Sequence, residues 1–516
     1  MNTRHILYTD PFSYTTPAIQ WIDLHWLFQV LSYLVYCSSG YYGLLLLKSF
    51  IIATAAFLLL SSIRSLSSLV IIAPLFLFCM FHFRYLVPLR PGILTLLYLS
   101  SFLFLFEKYS RNPRTGLLIM LIPIQILWNN TQGLFMIGPA VFALYIAGNI
   151  TDLIRQSNAP LKAVTAYIKT KQFINMTIIF SMVCISGIIT PFGIRGFLFP
   201  FRLLKQITPG SVNPFSNLIT ENTPMFKMIG TDQYYYVLVF ALLSIFALYI
   251  ILSSGKKNCF WHIYLFISFA VLAFMAQRNL ILFLFATVPL ASNFRLISFK
   301  IITNVKKIIL CGSLLFVSLY FTFVISNHFL MIQSINNPVS PFCHPAKSTR
   351  YLSTNHLKGN IFNADRYGGY LLWHLYPSRK IFIDTRLSMR NRQFFLDYIS
   401  LLENPVQFDF QSKSYNITAA VLPASVPLYR KLITWLYFHP DWALVMTDGS
   451  EALFIRKDQF SGTGIDLKNQ VQIDSLFRQI QIDSDFGSRQ IKTEAAFRLD
   501  KFVQNLRFNP YPNISR

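Results

Sequence analysis

The chain has 516 residues, 54% of them hydrophobic and only 13% charged, with Phe alone contributing 50. With a mean hydropathy of +0.47, this excludes an ordinary soluble protein, which would carry far more surface charge, and fits a polytopic α-helical membrane protein. The net charge of +24 would point a soluble protein towards nucleic acid, but here the basic residues lie mostly between apolar segments, where they set topology and meet anionic headgroups, so no nucleic-acid partner is expected. Six cysteines are too few for a disulfide scaffold.

Met1 to Trp21 is polar and aromatic, without the apolar core of a signal peptide. It contains TDPFSYT, in which Asp10 before a proline is a turn former. Asp23 and His25 follow in WIDLHW and open an apolar stretch, Leu24–Tyr36, about half to two-thirds of the length a bilayer core needs. That stretch predicts a helix lying in the interface, so residues 1–40 are expected to form an external loop with an interfacial helix. Asp10, Asp23 and His25 have acid/base chemistry; the plainer reading of Asp23 is a cap for free helix amides.

Residues 41–330 predict the transmembrane helical domain, with about ten spans of roughly bilayer length. They lie near Tyr41–Ser62, Leu66–Phe83, Pro91–Glu107, Thr115–Trp128, Gln132–Ile150, Gln172–Thr190, Tyr235–Ser253, Cys259–Met275, Asn279–Phe294 and Ile308–Ser326. Four connecting loops are basic: Lys108 to Arg114, Arg155 to Lys171, Lys256 with Lys257, and Arg295 to Lys307. Threading ten spans puts all four on one face, which the positive-inside rule makes cytoplasmic. The opposite face receives the N-terminus, the loops 84–90, 129–131, 191–234 and 277–278, and everything after Asn327. No ATP is available there, so chemistry on that face needs a pre-activated, lipid-carried substrate.

That face also collects the unusual residues. Arg84 and Arg90 border a span, where they either snorkel to lipid headgroups or clamp a lipid phosphate bidentately. Arg278, between long apolar runs, is costly unless it pairs or lines a wet cavity. Asn129 and Gln132 belong to the polar turn WNNTQG, readable as a plain hairpin or as an acceptor contact.

From 345 to 457 the chemistry changes to that of a small extracytoplasmic α/β domain. Strands are predicted at Asn360–Ala364, Lys380–Asp384, Ala419–Leu422, Trp442–Met446 and Ala452–Arg456, with helices at Tyr370–Tyr376, Gln393–Leu402 and Pro427–Tyr437. Asp448 and Gly449 mark a terminal hairpin turn. Asp384 and Arg386 fall at a strand's C-terminal end, where open α/β sheets place ligands, or else pair with each other. Asp365 and Arg366 could meet them across neighbouring strands. Gly368 and Gly369 are too few for a phosphate loop and read as a close-packing point. No ligand spacing for a metal is present, so no cofactor is expected, although a divalent ion bridging an acidic loop to a phosphate stays open. Residues 458–516 predict a polar tail of one or two surface helices, loose from Phe508 onward.

The segments TDPFSYT, WIDLHWLFQVLSYLVY, LRPGILTLLYLSSFLF, WNNTQGLFMIGPA, ITPFGIRGFLFPF, RNLILFLFATVPLAS and NADRYGGYLLW…IFIDTR occur in a fixed order over residues 5 to 457. Together they resemble a large family of bacterial integral membrane proteins similar to GT-C glycosyltransferases. The resemblance implies a multi-pass protein of the bacterial inner membrane that moves a sugar from a polyprenyl-phosphate carrier to a glycan or protein acceptor on the outer face. An acidic residue of the first external loop would act as base, and arginines would hold the carrier phosphate. Departures are visible. The chain starts inside the region where family members carry a further first span and an acidic stretch, so Asp10 and Asp23 are the acids that remain. Gln132 stands where the family has a histidine, and Asp384-Thr385-Arg386 replaces Asp-Gly-Arg. The enzyme therefore competes with a degenerate form, with a non-catalytic scaffold of cell-surface polysaccharide assembly, and with a lipid or solute transporter. Against the transporter, neither repeated halves nor charges buried mid-span are evident.

Overall fold

The computed structural model describes residues 6–16, 19–63, 66–207, 220–254, 259–291, 312, 340–355, 357–386, 390, 392–483, 486 and 489–507. The chain divides into two compact units: Met1–Ile6 with Ile22–Phe323, and Leu7–Trp21 with Val324–Arg516.

The first unit is helical. Helix α1 covers Trp26–Ser61, so the expected interfacial helix and first span are joined end to end. Their joint is Gly40, whose φ of 59° and ψ of −150° are non-helical, a conformation open to glycine because it lacks a Cβ. Then come α2 (Leu66–His82), α3 (Ile93–Arg111), α4 (Thr115–Ile119), α5 (Leu121–Thr131), α6 (Ile137–Gln156), α7 (Pro160–Ile168), α8 (Lys171–Ile185) and α9 (Gly193–Ile207). The described part ends with α10 (Tyr234–Ser254), α11 (Phe260–Met275) and α12 (Leu280–Ala291).

Among the described residues, five helices are long and apolar enough to cross a membrane and three shorter ones are apolar, against the ten spans expected. The expected span Thr115–Trp128 is instead α4 and α5, broken at Met120. Pro123 accounts for the break, since its ring clashes with the carbonyl four residues back, at Ile119. The expected Ile308–Ser326 span lies outside the described residues.

Helix α3 is the centre of this unit, with 72% of its apolar window buried. Phe106 stacks on Tyr145 at 4.4 Å and meets Phe142 edge-on at 5.0 Å. Gly148 lets α6 approach α11, because a Cβ there would lie 2.3 Å from that of Trp261. Within this core Glu107 and His262 are both about 1% exposed and bonded at 2.5 Å. A buried acid of this kind is tolerated because it is partnered.

The second unit is an α/β body. Strands β1 (Asn360–Asn363), β2 (Ile417–Pro423), β3 (Trp442–Thr447) and β4 (Glu451–Arg456) form one sheet in the order β1-β2-β4-β3. The first pair is parallel and the other two antiparallel. Every β2 residue is buried, as a central strand covered on both faces requires. Helices α13 (Ala346–Thr354), α14 (Gly368–Leu375), α15 (Arg392–Glu403), α16 (Pro405–Ser414) and α17 (Arg430–Phe438) connect and cover it. Helices α18 (Gln470–Ile482) and α19 (Arg489–Arg507) follow. Helix α19 packs on the hairpin turn at Gly449, where Leu499 is fully buried and a Cβ on Gly449 would lie 2.3 Å from the Leu499 amide; the tail expected from Phe508 onward lies outside the described residues.

The expected strand Lys380–Asp384 is not a ladder strand. Ile381 makes single parallel bridges to Ile361 on one side and Ser13 on the other. The fully buried Asn363 side chain takes over the pairing, accepting from Phe382 N at 2.9 Å and donating to Ile383 O at 2.7 Å. Gly368 is a close-packing point, since a Cβ there would lie 2.4 Å from Ile383 O.

Segment Leu7–Trp21 extends this sheet beyond Ile381. Ile381 N donates to Phe12 O at 3.1 Å and Tyr14 N to Ile381 O at 3.2 Å. Thr15 Oγ1 donates to Phe382 O at 2.6 Å, and Tyr14 Oη to Ile361 O at 2.9 Å. Arg386 closes the contact. Its guanidinium donates to Asp384 at 2.8 and 2.5 Å and to Asp10 at 3.1 Å, and lies over the Trp21 and Phe12 rings at 4.7 and 5.1 Å. Asp10 and Asp384 are each 3% exposed. Replacing Arg386 by Ala strands both carboxylates, and removal of one partner of a buried pair costs about 3–5 kcal/mol. Arg386→Ala is therefore expected to lower the denaturant midpoint of the full chain strongly, with Arg386→Lys milder; an unchanged midpoint would contradict the assignment.

At the other edge Glu451, 1% exposed, accepts from Lys347 N and Ser348 N, each at 3.0 Å. Lys347 Nζ in turn pairs with Asp448 at 3.1 Å and Asp483 at 2.7 Å. Burial, with the Asp448 charge alongside, pushes the Glu451 carboxyl up from 4.5 to about 7. The folded chain therefore holds this proton more tightly than the unfolded chain. Its contribution to stability is full below about pH 4.5 and is lost as pH rises towards 7. The unfolding midpoint should fall over that window relative to Glu451→Gln, in which the position no longer titrates; parallel profiles would contradict the shift.

Candidate functional site

In the helical unit the polar residues gather where helices begin and end. Asp23, 6% exposed, accepts the His25 amide at 3.0 Å, and its carboxylate is 3.8 Å from His25 Nδ1. It thereby fixes the turn that enters α1, while the His25 side chain stays 43% exposed. Trp26 Nε1 donates to Asn130 Oδ1 at 3.1 Å, tying the start of α1 to the end of α5.

The turn after α5 runs beside both His25 and the start of α3. A Cβ on Gly133 would lie 4.0 Å from His25 Nε2, and one on Gly92 would lie 3.7 Å from Gln132 Nε2. Gln132 Oε1 accepts from the Leu134 amide and holds the turn in shape. Asn129 faces inward and is fully buried, donating to Ser186 O at 2.7 Å and accepting from Gln125 at 2.8 Å. Both its amide atoms are engaged in packing.

Arg90, two residues before Gly92, grips Glu221: Nη1 donates to the two carboxylate oxygens at 2.9 and 3.0 Å. The Glu221 charge also acts on Arg278, which makes no hydrogen bond or ion pair among the described residues. The backbone fastens the same loop, with Gln277 N donating to Thr223 O at 3.0 Å. Arg90 thus holds Glu221 directly, while Arg278 only feels its charge. Arg84 is engaged locally, donating to Phe81 O and Tyr85 Oη at 3.1 Å each and lying over both rings.

The expected site residues therefore fall into two groups. Asp23, His25, Gln132, Arg90 and Arg278 belong to the helical unit, linked through the turn at Gln132–Gly133 and through Glu221. Asp10, Asp384 and Arg386 form the buried cluster of the α/β unit, two acids and an arginine read separately in sequence. Asp365 does not meet Arg386; its Oδ1 accepts from Tyr429 at 2.9 Å. Glu221 escaped the sequence reading, although it is one of only two carboxylates between Pro191 and Tyr234. Among the described residues no three His, Cys, Asp or Glu side chains converge as metal ligands. In the Asp10–Asp384 pair the space between acids is filled by a guanidinium.

No family model matches the chain, and no curated protein sequence matches it. Solved structures do. The oligosaccharyltransferase AglB of the archaeon Archaeoglobus fulgidus, in complex with an inhibitory peptide and a dolichol-phosphate, superposes with a TM-score of 0.51 at 10% identity, over 89% of this chain and 69% of that one. The fold is that of an oligosaccharyltransferase. Two further A. fulgidus oligosaccharyltransferase structures match at 12% identity and over 84% of this chain. One, tethered to an acceptor peptide containing the NVT sequon, has a TM-score of 0.47 and is 65% covered. The other, in complex with Zn and sulfate, has a TM-score of 0.46 and is 64% covered. The chain thus spans about two-thirds of the length of these enzymes. The multi-helical architecture with a C-terminal α/β body expected from the sequence agrees with this fold and with the apolar helices.

Proposed function

We propose that this protein is a GT-C-like glycosyltransferase that takes a sugar from a polyprenyl-phosphate carrier and transfers it to a glycan or protein acceptor on the outer face of a bacterial inner membrane. The observation that carries this reading is the Arg90–Glu221 pair in the helical unit, with Arg278 within reach of the same charge, on an oligosaccharyltransferase-like fold. A guanidinium that already grips an anion at a helix end suits a lipid phosphate, because it matches phosphate oxygens in fork geometry.

In the transfer, the acceptor's nucleophilic atom attacks the anomeric carbon of the sugar. The bond from that carbon to the phosphate oxygen breaks, and its electron pair leaves with the phosphate. Arg90 and Arg278 stabilise the charge that develops there. The acceptor proton passes to the Asp23 carboxylate, held in place by the His25 amide. Gln132 holds the turn that runs beside His25. Asp10, neutralised by Arg386, holds the N-terminal segment and takes no part in proton transfer.

A positioned base contributes about 10²–10⁴-fold to rate. Asp23→Asn is therefore expected to cut glycan transfer by at least about 100-fold while leaving polyprenyl-phosphate binding intact; transfer at the unaltered rate would contradict the role. Asp10→Asn should act on stability first. Glu221 occupies Arg90 in the absence of ligand, and an exposed ion pair is worth up to about 1 kcal/mol, or about fivefold in affinity. Glu221→Gln is expected to tighten binding of a short, water-soluble isoprenyl phosphate by about that factor, and Arg90→Ala to weaken it. Weaker binding by Glu221→Gln would show that the carboxylate helps the ligand rather than competing with it.

A further inference from the structure

Helix α7 (Pro160–Ile168) lies in the connector between α6 and α8, and none of its residues is buried. Helix α6 ends at Gln156 and α8 begins at Lys171, and each is part of a helix long and apolar enough to cross a membrane. A link this short between two consecutive spans keeps α7 close to the bilayer surface. The connector is also a built turn. Thr170 Oγ1 caps α8 by accepting from Phe173 N at 3.2 Å, and Tyr167 meets the Phe173 ring edge-on at 5.2 Å.

Leu161, Val164 and Ile168, three and seven residues apart, share one face of this helix. Leu161 is 84% exposed and Ile168 44%, so the protein leaves that apolar face uncovered. Thr165, beside the stripe, spends its hydroxyl on Leu161 O and Lys162 O at 2.9 Å each and makes no polar demand there. Lys162 and Lys169 lie together about 120° round the helix from the stripe, and Ala166 lies opposite it.

Charge separates this connector from its neighbours. Arg111 donates to Ser62 O and lies 3.7 Å from Glu107, and Arg155 pairs with Asp152 at 2.8 Å. The ammonium groups of Lys162 and Lys169 are exposed and have no partner among the described residues. The chain supplies no acid between Asp152 and Glu221 to neutralise them. An apolar stripe flanked by free lysines suits a negatively charged bilayer: the stripe reaches the acyl boundary, and the lysine stems carry their charge out to the headgroups.

We infer that α7 is an interfacial helix that docks on anionic phospholipid, with Leu161, Val164 and Ile168 inserted at the acyl boundary and Lys162 and Lys169 seated on the headgroups. The inference stands apart from the carrier reading, because no residue of α7 enters that site. Each lysine near an anionic surface contributes about fivefold in affinity.

The test places the full chain in nanodiscs of equimolar phosphatidylcholine and phosphatidylglycerol, with a photoreactive benzophenone side chain in place of Leu161 or, separately, of Ala166. The probe at Leu161 should capture phospholipid, phosphatidylglycerol in preference, and the probe at Ala166 should capture little. Lys162→Gln with Lys169→Gln should lower the preference for phosphatidylglycerol at least about fivefold. Lys162→Arg with Lys169→Arg should keep it, which separates lost charge from lost folding. Capture of protein rather than lipid at Leu161 would overturn the inference in favour of a partner or a second copy of the chain. Equal lipid capture at both positions, or a preference that survives removal of both lysines, would overturn it as well.

Discussion

A chain that is 54% hydrophobic has few places to put a charge, and that constraint organises the molecule. A charge inside an apolar helix bundle is expensive unless partnered, so among the described residues most ionisable groups of the helical unit lie near helix ends, with Glu107 and His262 as a bonded pair in the core and Lys48 within α1. Helix ends also supply sharp turns and free backbone groups. Asp23 at the entry to α1, Gln132 after α5, Arg90 before α3, Glu221 before α10 and Arg278 before α12 are all products of this one rule. Chemistry and topology are therefore not independent here.

The same rule acts on the α/β unit with a different result. Arg386, Asp384 and Asp10 neutralise one another inside a packed body and spend their charge on holding the N-terminal segment against Ile381 and Phe382. Asp10 and Asp23 look alike in sequence, two acids thirteen residues apart in a polar, aromatic stretch. Their environments differ: one carboxylate is bound to a guanidinium, while the other caps a turn beside a half-exposed histidine. The environment, not the residue type, separates a structural acid from a candidate base.

Helices with strong apolar runs were legible in the sequence to within a few residues, as at Tyr234–Ser254 and Phe260–Met275, because periodicity and length decide them. Pro123 is a local signal for the break at Met120, but the expected span Thr115–Trp128 follows the apolar run across it. The failure at Lys380–Asp384 has a tertiary cause: Asn363 supplies from a side chain what a neighbouring strand would supply from its backbone, and no local pattern reveals that. The site was half legible. Arg90, Arg278, Asp23 and Gln132 stand out as polar residues at span boundaries, whereas Glu221 joins them through a contact more than a hundred residues distant in sequence.

The central claim is that Arg90 and Arg278 form the phosphate seat of a lipid carrier, kept closed by Glu221 until the carrier arrives. The most direct measurement is an experimental structure of the full chain in a lipid bilayer with a non-cleavable polyprenyl-phosphate sugar. The account predicts phosphate density between the two guanidiniums, with Glu221 displaced from Arg90. An intact Arg90–Glu221 pair with the phosphate bound elsewhere would contradict it.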